Sequence, residues 1–118
     1  MKNITKFIDA WNQAYPDFQF LLEGTDKPFN IDIRYSAEKY YGHFVNNFLS
    51  WHSFARKVGE LSNDTMIVPV DDDLYARGAI EIKVICQSPN FTSKKVVEVL
   101  TWIGETLSPH RASNISFE

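Results

Sequence analysis

Cysteine is almost absent from this chain, and the single thiol, Cys86, excludes an internal disulfide framework and any cysteine-based zinc cluster. That scarcity fits a reducing cytoplasm. Long apolar runs are missing too. Nothing approaches the ~18 consecutive apolar residues of a membrane span, and the first residues, Met1 to Phe7, carry no h-region of a secretory signal. Basic excess is lacking as well. The formal charge is −3 and the pI about 5.6, which argues against sequence-independent binding of nucleic acid. Walker loops, dinucleotide glycine fingerprints, Ser-centred nucleophile elbows and His-x₃-His metal pairs do not occur. What remains is rich in apolar residues (44%) and aromatics (14%), enough for one folded domain of 118 residues with a real core.

Periodicity supplies the architecture. From Asn3 to Tyr15, Ile4, Phe7, Ile8, Trp11 and Tyr15 recur at helical spacing, with Asn3 as N-cap and Pro16 as stop. Period two follows. Phe18, Phe20 and Leu22 alternate with Gln19, Leu21 and Glu23. After the turn residues Gly24 to Pro28, Phe29, Ile31, Ile33 and Tyr35 share one face, while Asn30, Asp32, Arg34 and Ser36 share the other. From Ala37 to about Leu61 the spacing is helical again, with Ser36 as cap and a break possible near Ser50. Tyr41, Phe44, Phe48, Trp51 and Ala55 form its expected stripe.

The central stretch, Thr65 to Gln87, reads as two strands joined by an acidic turn. Ile80, Ile82, Val84 and Cys86 face one way; Ala79, Glu81, Lys83 and Ile85 face the other. Thr92 or Ser93 then caps a helix buried through Val96, Val99, Leu100, Ile103 and Leu107. The tail from His110 to Glu118 is polar, with Ile115 and Phe117 alternating about Ser116 as in an edge strand. The order α-β-β-α-β-β-α(-β) predicts an α+β domain over 1–118, with three helices packed on one face of a mostly antiparallel four- to five-stranded sheet.

Candidate chemistry is sparse. Asp71 after one strand and Glu81-x-Lys83 on the next resemble the PD-(D/E)xK nuclease core. In that family two carboxylates hold Mg²⁺ and the lysine positions the attacking water. A strand of alternating surface charge explains the same residues. Asp71, Asp72 and Asp73 read as an acidic loop tip suited to a basic protein surface, since the EF-hand pattern is missing. His52 is expected to be half-buried and Cys86 buried and inert. Neither a metal nor a cofactor is implied.

Aromatics left over from the core say more. Trp102, Tyr40, Phe54 and Tyr75 fall off the apolar stripes or in loops, as aromatics of protein-binding surfaces do. In size, acidity and aromatic content the chain resembles the immunity proteins of contact-dependent inhibition and related polymorphic-toxin systems. That resemblance implies a non-catalytic cytoplasmic inhibitor that occludes a cognate toxin domain, such as a basic nuclease, without itself touching nucleic acid or membrane. The docking surface then expected is Glu60, Asp64, Asp71, Asp72, Asp73, Tyr75 and Trp102. A dimeric type III secretion-type chaperone, similar in length and acidity, is a further reading.

Overall fold

The computed structural model describes residues 2–24, 29–48, 50–63, 65–70, 78–86 and 92–115. Its elements are α1 (Lys2–Ala14), β1 (Phe18–Glu23), β2 (Phe29–Ser36), α2 (Ala37–Asn47), α3 (Trp51–Leu61), β3 (Thr65–Pro69), β4 (Ala79–Cys86) and α4 (Ser93–Leu107). A 3₁₀ turn, Ala112–Asn114, follows, and Ser116 and Phe117 of the expected tail strand lie outside the described residues. The strands form one antiparallel sheet in the order β1-β2-β4-β3. Since β4 is antiparallel to both neighbours, β2 and β3 run parallel, joined through α2 and α3 with β4 between them. The α+β layering expected from the periodicity is therefore present, with four helices among the described residues instead of three.

Register follows the hydrophobic alternation. Phe18 lies opposite Tyr35, Phe20 opposite Ile33, Ile31 opposite Val84 and Ile33 opposite Ile82, so the apolar positions of three strands stack on one side. A slip of one residue would turn all of them to the other side. The four helices bury Ile4, Phe7, Trp11, Tyr40, Phe54, Val58, Val99, Leu100, Ile103 and Leu107 in one cluster with those strand residues. Helix α4 lies against both α1 and α2. It approaches α1 closely: a Cβ on Gly104 would sit 2.5 Å from the Trp11 indole, so only glycine fits there. The indole also donates its Nε1 proton to the Phe18 carbonyl at 2.9 Å.

The two sheet edges are closed differently. On β1, Asn12 of α1 imitates a further strand, its Nδ2 donating to Phe20 O (2.7 Å) and its Oδ1 accepting from Phe20 N (2.9 Å). On β3, Val70 N donates inward to Glu81 O at 3.1 Å, which turns the ladder groups of Pro69 outward. A proline there forfeits no sheet bond and removes a donor from the edge.

One expectation holds only in part. The segment from Ala37 to Leu61 is two helices, because Phe48 closes α2 and the Ser50 hydroxyl caps α3 by accepting from Ser53 N. Phe44, Phe48, Trp51 and Ala55 of the expected stripe pack on the core, but on α2 the buried tyrosine is Tyr40, with Tyr41 and Val45 46% and 53% exposed, and on α3 Phe54 is buried as well. His52 is likewise exposed, not half-buried. Asn3 lies inside α1, which starts at Lys2, and so does not cap it. The expected caps Ser36 and Thr92 are in place, accepting from Lys39 N and Lys95 N.

Candidate functional site

Helix α4 has two working faces. Val96, Val99, Leu100, Ile103 and Leu107 point into the core. The opposite stripe, Lys94, Val97, Glu98, Thr101, Trp102 and Glu105, follows the i, i+3, i+4, i+7 spacing and floors a groove of about 680 Å³. Among the described residues, Asn3 of α1 and Leu61 of α3 add to its walls. Trp102 is half-buried and held in place from below. Its ring stacks on Phe54 at 5.8 Å and meets Phe48 edge-on at 6.0 Å. An aromatic ring already fixed in one orientation loses little entropy on binding.

The carboxylates along the groove differ in freedom. Glu105 Oε2 accepts from Ala112 N at 2.9 Å, while Glu98 pairs with Lys95 at 3.1 Å at the surface. Glu60 is exposed on α3 beside Leu61, 3.7 Å from Lys57. Of the expected docking residues, Trp102 lines the groove and Glu60 lies next in sequence to a lining residue. Asp64, Asp71, Asp72, Asp73 and Tyr75 lie outside the described residues.

The sheet's other face carries a second charged set. Strand pairing sets Asp32 opposite Lys83 and Arg34 opposite Glu81, with Leu21 and Val68 completing one cross-sheet row. Lys83 Nζ lies 3.7 Å from Asp32 Oδ1 and 3.8 Å from Glu23, and Arg34 lies 3.2 Å from Glu81 and 3.9 Å from Asp32. These neighbours cover Asp32, whose side chain is only 4% exposed and whose Oδ1 has no hydrogen-bond donor. Burial raises the Asp32 pKa above the ordinary carboxylate value. Glu23 beside it pushes the same way, against Glu81 and Lys83. Glu81 and Lys83 thus share a face, as the nuclease resemblance requires, but each is engaged by a charge on the sheet. Asp71 lies outside the described residues. Among the described residues no group of three or more His, Cys, Asp or Glu side chains is placed to hold a metal ion.

A third cluster ties the chain's two ends together. Asp17, between α1 and β1, accepts from Tyr40 Oη (2.7 Å) and Lys39 Nζ (3.0 Å), and His110 Nε2 lies 3.1 Å from its other oxygen. The imidazole is stacked flat on Tyr15 at 4.0 Å. Burial alone would raise the Asp17 pKa. The hydrogen bonds from Tyr40, Lys39 and His110, with the Lys39 charge, outweigh it and hold the carboxyl at about 2. Tyr40 is pushed up to about 12 by burial and by Asp17. Tyr15 Oη completes the clasp by donating to Arg111 O at 2.7 Å.

No family model matches the chain, and no curated protein or solved structure matches it. Sequence reasoning missed Asp32, Glu23 and the Asp17–Tyr40–His110 clasp. The alternation in β1, β2 and β4 contained the signal for the sheet-face set, needing only the strand order to bring it together. Nothing local links Asp17 to His110.

Proposed function

We propose that this protein is a non-catalytic cytoplasmic inhibitor that binds another protein and occludes it, as immunity proteins of polymorphic-toxin systems do. The observation that carries this reading is Trp102, a large half-buried ring held by Phe54 and Phe48 in a groove with Glu98 and Glu105 on its floor. Pinned aromatics in partly desolvated pockets are the usual anchors of protein interfaces, and nearby carboxylates steer a basic partner. The net charge of −3 acts in the same direction. No helix among the described residues is long and apolar enough to cross a membrane. The pairing of Glu81 with Arg34, and of Lys83 with Asp32 and Glu23, supports a binding role over hydrolysis, because a catalytic lysine or metal-binding carboxylate would have to leave these partners.

The test is capture of partners from the source cell with the tagged protein, followed by co-expression of the captured domain with and without it. A stoichiometric basic toxin domain, silenced on co-expression, is the expected result. Capture of nothing, or of a domain whose activity persists in the complex, overturns the reading. One observation favours a second one: Glu81, Lys83 and Asp32 stand on a single sheet face. Mg²⁺-dependent nicking of DNA or RNA, lost on Glu81→Gln or Lys83→Ala, would install the nuclease in place of the inhibitor. Elution of a dimer that holds an unfolded effector would install the chaperone.

A further inference from the structure

We infer that the groove along α4 is the seat of a short amphipathic basic helix belonging to the inhibited protein, lying antiparallel to α4. Such a helix is the contact element only if the inhibitor reading above holds. The floor runs from Lys94 to Glu105, roughly 16 Å at 1.5 Å per residue, which is about three turns of a partner helix. Among the described residues its lining presents helix side chains and no strand edge. An extended peptide would find no backbone ladder there, whereas a helix satisfies its own backbone and needs only side-chain contacts. Leu61, Val97 and Trp102 offer apolar contact for residues spaced i, i+3 or i+4, and i+7.

Charge sets the chemistry and the direction. Glu98 and Glu105 are seven residues apart, hence on one side of α4 two turns apart. Glu98 is held by an exposed pair with Lys95 at 3.1 Å, which an incoming cation can replace, and Glu105 Oε2 keeps its bond from Ala112 N. The two match Lys or Arg residues seven apart on the incoming helix. Lys94, at the opposite end of the floor, faces the end of the partner helix that carries partial negative charge, its C-terminus. That places the two helices antiparallel.

A displayed library of 14-residue helical peptides, selected on the full chain, tests this without knowledge of the natural partner. The expected winners carry apolar residues at i, i+3 or i+4, and i+7, flanked by Lys or Arg seven apart. Binding of a winning synthetic peptide, followed by fluorescence anisotropy, should weaken at least tenfold on Glu98→Lys and more on Trp102→Ala. Thr101→Arg, which fills the groove without touching the Trp102 stack, guards against a Trp102 variant that fails to fold. No enrichment, acidic or proline-rich winners, or binding indifferent to all three variants would overturn the proposal. A toxin domain captured from cells that still binds Glu98→Lys and Thr101→Arg unchanged overturns the groove while leaving inhibition itself standing.

Discussion

The two faces of the sheet solve opposite problems. The covered face is apolar in strict alternation, and its polar needs are met by single well-placed groups such as the Trp11 indole and the Asn12 amide. The other face carries three carboxyl groups and two cations, which answer one another across β1, β2 and β4. Packing fixes the first. On the second, the charges are paired, though Asp32 Oδ1 has no hydrogen-bond donor and only the Lys83 ammonium at 3.7 Å beside it. Burial on the covered side therefore supplies the fold's free energy, and the charged side supplies mainly register and solubility.

The sharpest way to break the covered face is at its tightest contact. Trp11→Ala removes a fully buried ring and the donor to Phe18 O, and should cost about 4 kcal/mol in urea unfolding. Gly104→Ala approaches the same contact from α4. The new methyl collides with the indole and should cost about 2 kcal/mol. Combining Gly104→Ala with Trp11→Phe frees space for the methyl, so the pair should be less destabilised than the sum of the single changes. Strict additivity would show that the two helices separate without strain.

The clasp of Asp17, Tyr40 and His110 sits between these regimes, and pH separates its part. Asp17 has a folded pKa of about 2 against an ordinary 3.8, so its stabilisation is complete above the unfolded value and is lost as pH falls from about 4 to about 2. Asp17→Asn should cost about 2 kcal/mol at neutral pH and almost nothing at pH 2. Equal losses at both pH values would assign the effect to shape and not to charge. Tyr40, raised to about 12, acts with the reverse sign, its contribution being lost as pH climbs above 10.

How much of this was legible beforehand depends on whether a feature is local. The alternation of Phe29, Ile31, Ile33 and Tyr35, and of Ile80 through Cys86, declared both buried faces, and the α4 stripe declared its core side and, by subtraction, Trp102. The break near Ser50 was legible as a possible interruption, and the structure places the Ser50 cap of α3 there. On α2, Tyr40 and Tyr41 project about 100° apart, and the apolar pattern does not say which of two adjacent tyrosines turns inward; Tyr40 is the buried one. Gly104 gave no sign of its role, since a glycine inside a helical pattern reads as a weak position until the ring against it is known. The sheet-face charges were each placed on the correct side of their strands. Their meeting required β2 to pair with β4, a choice that hydrophobic pattern leaves open because both strands match either neighbour.

The smallest expected effect has the sign that most sharpens the contrast. Asp32 has a raised pKa, so the fold favours its neutral form. That preference stabilises the protein below the unfolded pKa and is lost as pH rises through the folded value. Asp32→Asn keeps the shape, supplies an amide that Glu23 or Glu81 can accept from, and removes the like-charge contact. It also deprives Lys83 of one partner, though Glu23 remains 3.8 Å away. Buried ion pairs replaced by neutral groups are often neutral or stabilising. The expected outcome is a gain of up to about 1 kcal/mol at pH 7, shrinking as the pH is lowered. A loss exceeding 1 kcal/mol would show that the Asp32–Lys83 pair holds β2 to β4, and that both faces, not only the covered one, stabilise the sheet.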